Sequence, residues 1–471
     1  MKTVHSTLFL ILFQLITVTG MQAQTDRSQP APGPAPKISL GKPKHFELKN
    51  GLKVLVVQNH KLPRVSYTLT FDNQPFAEGE KAGIDELTGS LLGNGTLKTP
   101  KETYIEEIDF LGAHIDFHAS GVSAFGLSKF KHRILELMAE GALQPLFTSE
   151  EFDKEKAKLL ESLKANEKNV KVIAEHVQNA LVFGKNHPFG EQITVATVNR
   201  IALNDIQNHY QEFFVPENAY LVVVGDVQFD EVKKSIEKLF GNWAKKSAPK
   251  IDYVNPVNVV QSEINFVNVP HAVQSEMTFV NSIELPMNSP DFFPALLANQ
   301  ILGGGGEGRL FLNLREKHGW TYGAYSSLKA SKYVSKFKAG ASVRNTVTDS
   351  AIVEVFNELK RIRLEKVSEE DLKNAKAKYI GNFVMQIEKP QTIARHALNI
   401  ETQNLPKDFY ENYIKNLQAV TPEQILQVAN KYFLADNIRV VVVGKSEDVL
   451  PNLKKLDLPI KQFDVYGNLV E

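Results

Sequence analysis

The segment GIDELTGSLLGNGT, residues 83–96, alternates apolar with small or polar positions at the period of a helix. Its apolar residues recur at i, i+3, i+7 and i+8, as on a helix face packed against a core: Ile84, Leu87, Leu91 and Leu92. The other face carries Glu86, Gly89 and Ser90, which successive turns bring to one point. The pattern predicts a core helix whose second face offers one carboxylate and two small residues.

Longer stretches of the chain repeat. Residues 201–225 and 420–444 align without a gap at an offset of 219, each reading as a helix followed by an apolar strand that ends in glycine. Residues 87–95 and 297–305 give a second, weaker match. Because each half mixes alternating strands with long amphipathic helices, the repeat predicts two related α+β domains with helices packed on a largely antiparallel sheet.

The folded part is expected to begin near Lys44, where FELKNGLKVLVV reads as two strands around an Asn50-Gly51 turn. Before it, Lys2 and the short apolar run 8–18 indicate a signal peptide cleaved before Gln24, the alternative being an N-terminal anchor. The predicted segments are a signal peptide (1–23), a Pro-rich tether (24–43), a first domain (44–248), a linker (249–260) and a second domain (261–471).

Composition narrows the possible chemistry. The 471 residues include no cysteine, which excludes thiol catalysis and iron–sulfur clusters. Lys+Arg and Asp+Glu both number 54, so the charge balance gives no reason to expect nucleic acid as a partner. No transmembrane segment is predicted after the signal peptide. The expected location is therefore the periplasm or the exterior, with possible attachment to the envelope.

Two stretches resemble the pitrilysin and mitochondrial processing peptidase family of zinc metallopeptidases. Residues 183–227 (FGKNHPFGEQITVATVNRIALNDIQNHYQEFFVPENAYLVVVGDV) resemble the end of the family's first domain. Residues 308–327 (GRLFLNLREKHGWTYGAYSS) resemble the start of the central helix and strand of its second domain. The resemblance implies that the chain folds as two domains, which together form one half of the clam-like structure of this family.

Active members carry H-x-x-E-H on a helix, where two histidines bind zinc and the glutamate acts as general base. Aligned on Gly83 and Gly95, these positions fall on Glu86, Gly89 and Ser90, so both histidines and the base are missing. The family's third ligand falls on Glu161, which alone cannot hold zinc and is better read as a solvated helix residue. The resemblance therefore implies a degenerate site and no metal bound by this chain.

The segment GAHIDFHAS offers the one histidine cluster, His114, Asp116 and His118, which a strand would place on one face. A rebuilt metal site is one interpretation, and a polar strand face beside a cleft is the other. The same strand resembles the family's substrate-pairing edge strand, with Asp116 and Phe117 at the substrate-binding positions, although a bulky Phe117 is unusual there.

In the second domain the resemblance assigns substrate binding to Arg315 and Tyr322, seven residues apart. An arginine offers fixed donors to a substrate carbonyl, and a phenol can stabilise an oxyanion. Upstream, the glycine run at 303–309 lacks the Lys-Ser/Thr of a phosphate loop. It is either a flexible link or a counterpart of the glycine-rich loop with which the non-catalytic mitochondrial subunit engages its substrate.

The leading hypothesis is a secreted, non-catalytic subunit that supplies Arg315 and Tyr322 to the zinc site of a homologous partner with an intact H-x-x-E-H motif. In this hypothesis the two chains form a heterodimer, the partner binds the zinc, and the substrate is a peptide or an unfolded protein. The main rival is a structural or peptide-binding protein without proteolysis. An active peptidase with a metal site rebuilt on His114 and His118 is the third alternative.

Overall fold

The computed structural model describes residues 43–470, in which two six-stranded sheets are each packed against helices. The first half contains the strands β1 (Lys44–Glu47), β2 (Lys53–Gln58), β3 (Arg64–Phe71), β4 (His114–His118), β5 (Gly121–Leu127) and β6 (Ala219–Gly225). Its α-helices are α1 (Ile84–Leu91), α2 (Lys101–Phe110), α3 (Lys131–Leu143), α4 (Ser149–Asn166), α5 (Val170–Phe183), α6 (Val195–Asn199), α7 (Leu203–Phe213) and α8 (Phe229–Phe240). The signal peptide and all but the last residue of the predicted tether lie outside the described residues.

The second half repeats this plan. Its strands are β7 (Glu263–Asn268), β8 (Gln274–Ile283), β9 (Ala324–Leu328), β10 (Ser335–Arg344), β11 (Arg439–Gly444) and β12 (Ile460–Phe463). Its α-helices are α9 (Phe292–Gly303), α10 (Arg309–Phe311), α11 (Thr348–Leu364), α12 (Glu369–Ile387), α13 (Pro390–Thr402), α14 (Tyr413–Ala419), α15 (Pro422–Tyr432) and α16 (Ser446–Leu453). A π-helical turn, Leu312–Lys317, directly follows α10.

The internal repeat is confirmed, because α7 and β6 in the first half have α15 and β11 as counterparts in the second. The sheet orders also correspond, β1-β2-β6-β3-β5-β4 and β12-β7-β11-β8-β10-β9. Most neighbours run antiparallel, and parallel pairs occur where β2 meets β6 and where β7 meets β11 and β12. The α+β expectation holds, with each sheet mixed at one end.

The predicted hairpin and core helix both form. Glu47 pairs with Lys53 across the β1–β2 turn, and Gly51 adopts the positive φ of 95° that this turn needs. In α1, Ile84, Leu87 and Leu91 are buried in an apolar cluster with residues of α4 and α7. The hydrophobic spacing therefore identified the helix correctly, and the Asn50-Gly51 turn identified the hairpin.

Each half also lends a helix to the sheet of the other half. Helix α5 of the first half packs Val177 and its neighbours on Val280 and Val441 of the second sheet. Helix α13 of the second half packs Ala394 on Leu55 and Val222 of the first sheet, among other residues. This reciprocal cover joins the two halves through apolar cores rather than through a surface contact.

Charged contacts support the same junction. Glu175 on α5 lies 2.7 Å from Lys336 and 2.8 Å from Lys338, both on β10. Desolvation alone would raise the pKa of Glu175. The pKa is instead lowered to about 2, because both lysines donate hydrogen bonds to the carboxylate. Between Asp72 and Lys332 a second ion pair, at 2.7 Å, joins the halves.

The borrowed helices leave part of each sheet uncovered. On the first sheet, the strand register places four residues in one row across β4, β5, β3 and β6: Asp116, Ser123, Thr68 and Val222. Of these four, Val222 packs in the apolar cluster formed with α13. The part near β4 is polar, and β4 is the edge strand. In the second sheet β9 is the corresponding edge strand. Within residues 43–470, no helix is long and apolar enough to cross a bilayer.

Candidate functional site

Helix α1 carries the three positions of the degenerate motif. Glu86 and Ser90 are exposed, whereas Gly89 is buried. The Ser90 hydroxyl donates to the backbone oxygen of Leu87, at 3.0 Å, and so turns back onto its own helix. None of these three residues offers an imidazole or a correctly placed base, so the residues present do not fit a zinc ion.

Gly89 packs directly against the turn between β4 and β5. A Cβ atom at this position would lie 2.5 Å from the backbone nitrogen of Ala119 and 3.0 Å from the carbonyl carbon of His118. Real Cβ atoms do not come this close to backbone, so a side chain at 89 requires the turn to move. The space that a general base would occupy is therefore filled by the β4–β5 turn.

The N-terminus of α1 is capped by a partly buried carboxyl group. Glu78 accepts hydrogen bonds from the amides of Gly83 and Ile84, and the amide of Glu78 donates to Glu191 at 2.9 Å. Nearby, His209 is 3.0 Å from Asp85. Helix amides favour an acceptor here, so the Glu78 carboxyl stabilises the first turn of α1.

We expect Glu78→Gln to remove part of the pH dependence of stability. Burial, which outweighs the hydrogen bond from Gly83, raises the pKa of Glu78 from 4.5 to about 7. Between pH 4.5 and about 7, the folded chain keeps the Glu78 proton that the unfolded chain has released. The free energy of unfolding therefore falls as the pH rises through this range. Glutamine resembles the protonated carboxyl, so the variant should gain about 2–3 kcal/mol on the wild type between about pH 5 and pH 8.

Urea unfolding of the wild type and of Glu78→Gln at about pH 5 and about pH 8 measures this change in relative stability. Taking the difference between variant and wild type removes the pH dependence that both proteins share. Parallel pH profiles would show that Glu78 is already ionised in the folded chain at the lower pH, contrary to the expectation.

Glu161 lies on the exposed side of α4, the helix that packs on α1 through Leu159. His114 and Asp116 are exposed on β4, and His118 is 3.0 Å from the hydroxyl of Ser120. Among residues 43–470, no three His, Asp or Glu side chains are grouped as a metal site requires. The described geometry therefore gives no support to a metal site rebuilt on His114 and His118.

Asp116 and Phe117 point to opposite faces of β4. Asp116 is exposed opposite Ser123, whereas Phe117 packs against the first core. Its ring fills the space that a Cβ atom would take at Gly93 and Gly141, at 2.4 Å from either position. Phe117 thus holds the edge strand onto α3, and the two glycines leave room for its ring.

Arg315 lies in the π-helical turn of the second half. Its side chain is 47% exposed, its guanidinium stacks 4.8 Å over the ring of Phe311, and its Nε lies 3.5 Å from Glu316. These contacts leave most of the donors of the guanidinium free for a substrate carbonyl. The side chain is thus supported on one face and open on the other.

Tyr322 is 88% exposed and makes no hydrogen bond to another residue of the described range. Beside it lies a cavity of about 470 Å³ over the uncovered part of the second sheet. The lining is mostly polar and includes Lys171, Glu276, Tyr325 and Lys338. Arg315 is not among the described lining residues, so the structure does not bring the two side chains to one cavity wall.

The glycine run between α9 and α10 is closely packed. A Cβ atom at Gly303 would lie 2.5 Å from the amide of Ser326, and one at Gly308 would lie 2.7 Å from Gly303. Lys378 of α12 lies against Gly305. Several of these glycines therefore allow backbone to approach backbone, which accounts for the run by packing alone.

Residues 200–379 match the family described as the peptidase M16 inactive domain. This match includes Arg315 and Tyr322 but begins more than a hundred residues after α1. The word inactive in that description thus refers to a part of the chain without the motif positions. The evidence against catalysis by this chain comes from Glu86, Gly89 and Ser90 themselves.

Known proteins of similar sequence and structure extend the comparison to most of the chain. A protein of Rickettsia felis described as an uncharacterized zinc protease is 26% identical over 403 residues, which cover 82% of this chain and 94% of that one. The crystal structure of a peptidase M16 inactive domain from Pseudomonas fluorescens superposes with a TM-score of 0.78 at 21% identity, covering 86% of this chain and 98% of that one.

A third comparison concerns a longer protein. The periplasmic protease PqqL from Escherichia coli superposes with a TM-score of 0.70 at 15% identity. The match covers 93% of this chain but only 51% of PqqL. This chain thus has the fold of one half of that protein.

Proposed function

We propose that this chain is an exported, non-catalytic subunit of a two-chain zinc peptidase, because it resembles M16 peptidases in sequence and fold and lacks their catalytic motif. In this proposal a homologous partner carries the intact H-x-x-E-H motif and the zinc. This chain closes the chamber and binds the peptide substrate through Arg315 and Tyr322.

The observation that carries the proposal is the state of Tyr322. A tyrosine that is 88% exposed beside an open polar cavity, with no hydrogen-bond partner among the described residues, contributes little to the stability of this chain. A phenol free to donate is what an oxyanion needs. Tyr322 therefore makes chemical sense once another chain places a peptide beside it.

The loss of function in α1 supports a role in trans. The buried apolar face of α1 is intact, while the β4–β5 turn fills the place of the general base. A chain in this state can hold a chamber together without cutting its contents. Because this chain has the fold of half of the periplasmic protease PqqL, pairing with a homologous half in the same compartment is the natural arrangement.

We expect that mixing this chain with a motif-bearing homologue from the same organism gives a one-to-one complex that cleaves unstructured peptides. A chelator should abolish the cleavage, because the partner's zinc is required. This chain alone should contain far less than one zinc per molecule and should cleave no peptide. Size-exclusion chromatography with light scattering, metal analysis and a peptide cleavage assay test each part.

A matched control uses the homologue with its motif glutamate replaced by glutamine, which should still bind this chain and yet be inactive. A complex that forms but gains no activity over the homologue alone would favour the rival function, a peptide-binding or structural member without a role in proteolysis. Stoichiometric zinc in the isolated chain, lost on replacing His114 and His118 by Ala, would instead favour a rebuilt metal site.

A further inference from the structure

Asn313 joins the π-helical turn to helix α11 by an unusual pair of hydrogen bonds. Its side-chain nitrogen donates to Glu354 and to Glu358, both at 2.8 Å. The two glutamates are one helical turn apart on α11, so one amide holds two carboxylates. This contact fixes the turn that carries Arg315 against the main helix of the second half.

The contact is not explained by stability alone. Asn313 is 8% exposed and the Glu358 side chain is 10% exposed. The side-chain oxygen of Asn313 and one carboxylate oxygen of Glu358 are buried and accept no hydrogen bond from the described residues. Among the described residues, two basic side chains approach the pair at longer range, His318 at 3.9 Å from Glu354 and Arg361 at 3.9 Å from Glu358. A buried glutamate such as Glu358 is costly when held this way, and apolar side chains often fill such space at no loss.

The same turn sets the position of Arg315. Its backbone hydrogen bonds span more residues than those of an α-helix. The amide of His318 donates to the backbone oxygen of Asn313 at 3.1 Å, and the amide of Trp320 donates to the backbone oxygen of Leu314 at 3.0 Å. The His318 ring then stacks on Trp320 at 4.0 Å between centroids. Such π-helical turns occur frequently at functional sites, where the extra residue redirects a side chain.

We propose that Asn313 is a positioning residue, whose grip on Glu354 and Glu358 holds the π-helical turn in the form that presents Arg315 to the substrate backbone. This inference rests on the proposed function for its consequence in catalysis. Its structural part, that Asn313 keeps the turn closed, holds for the isolated chain and can be tested there.

The first measurement is amide hydrogen exchange in the isolated chain. Asn313→Ala should speed exchange of the His318, Gly319 and Trp320 amides by at least about tenfold, because these amides close the turn. The matched control is Asn281→Ala, since Asn281 is 1% exposed and also donates to two acceptors, the backbone oxygens of Ser282 and Tyr432. That control should leave exchange at 318–320 unchanged.

The second measurement is cleavage by the complex with the homologue. Asn313→Ala should lower kcat by about tenfold to hundredfold with KM changed by less than about twofold, as expected for a misplaced group. In an Arg315→Ala background it should cause no further loss, because the two residues act through one contact. The milder Glu354→Gln should lose about threefold to tenfold and serves if Asn313→Ala does not fold, because a neutral pair is weaker.

The outcomes separate the two proposals. Unchanged exchange at 318–320, or an equal effect of Asn281→Ala on exchange or on kcat, overturns the positioning role. A further loss of kcat in the Arg315→Ala background overturns it as well. If the wild-type complex cleaves nothing, the proposed function fails, while the exchange measurement still decides whether Asn313 holds the turn.

Discussion

Replacing Tyr322 by Phe should lower kcat/KM of the reconstituted complex by about 10²–10³, the usual cost of removing one oxyanion donor. The phenol is exposed and has no hydrogen-bond partner among the described residues, so the substitution removes only a hydroxyl group that faces solvent. Arg315→Ala should have an effect in the same range, because it removes donors to the substrate backbone. Steady-state kinetics with an unstructured fluorogenic peptide measure both variants.

The control for this prediction is Tyr466→Phe, which removes the hydroxyl of a half-exposed tyrosine that is not among the residues lining the cavity. It should leave kcat/KM within about twofold, and all three variants should unfold within about 0.5 kcal/mol of the wild type, as is usual for surface substitutions. A complex that forms normally and cleaves at the unmodified rate with Tyr322→Phe and Arg315→Ala would rule out the role in trans.

Gly89→Glu should destabilise the chain by about 2–3 kcal/mol, the cost typical of an overpacked site. The Cβ atom alone would lie 2.5 Å from the Ala119 nitrogen, and backbone cannot move aside as a flexible side chain does. For the same reason, restoring the complete motif with Glu86→His, Gly89→Glu and Ser90→His should not create a stoichiometric zinc site. Urea unfolding and metal analysis test the two statements.

Glu86→His and Ser90→His alone provide the matched controls, because both positions are exposed on the same helix. Each should change the free energy of unfolding by no more than about 0.5 kcal/mol. A triple variant that folds as stably as the wild type and binds one zinc would show that the β4–β5 turn yields readily, and that the filled space is not what prevents a metal site.

Local patterns were sufficient to predict a large part of this fold. The spacing of Ile84, Leu87 and Leu91 predicted α1, and the Asn50-Gly51 turn predicted the β1–β2 hairpin, because both signals act between residues close in sequence. The offset repeat predicted two similar halves, and the missing histidines predicted a degenerate site. The repeat depends on residue type and spacing alone, whereas the degenerate site was implied by the resemblance to the peptidase family.

Contacts between distant segments were not predictable in this way. Phe117 was expected at a substrate-binding position, and its place against Gly93 and Gly141 depends on three separate elements meeting. The turn at Ala119 that fills the space beside Gly89 is likewise invisible in either segment alone. The π-helical turn around Arg315 depends on Asn313 meeting two glutamates of a helix that begins some thirty residues later.

The reciprocal cover by α5 and α13 constrains how the protein can be made. All six strands of the first sheet have been synthesised once β6 is made. The apolar residues Leu55 and Val222 on this sheet nevertheless stay exposed until α13, which covers them, has also been synthesised. A stable folding intermediate formed by the N-terminal half alone is thus disfavoured. Cutting the chain between the halves would leave two fragments, each with an exposed apolar surface that favours aggregation. Two identical copies of one half could have covered each other in the same manner, which makes a helix-exchanging homodimer the simplest ancestor of the duplicated chain.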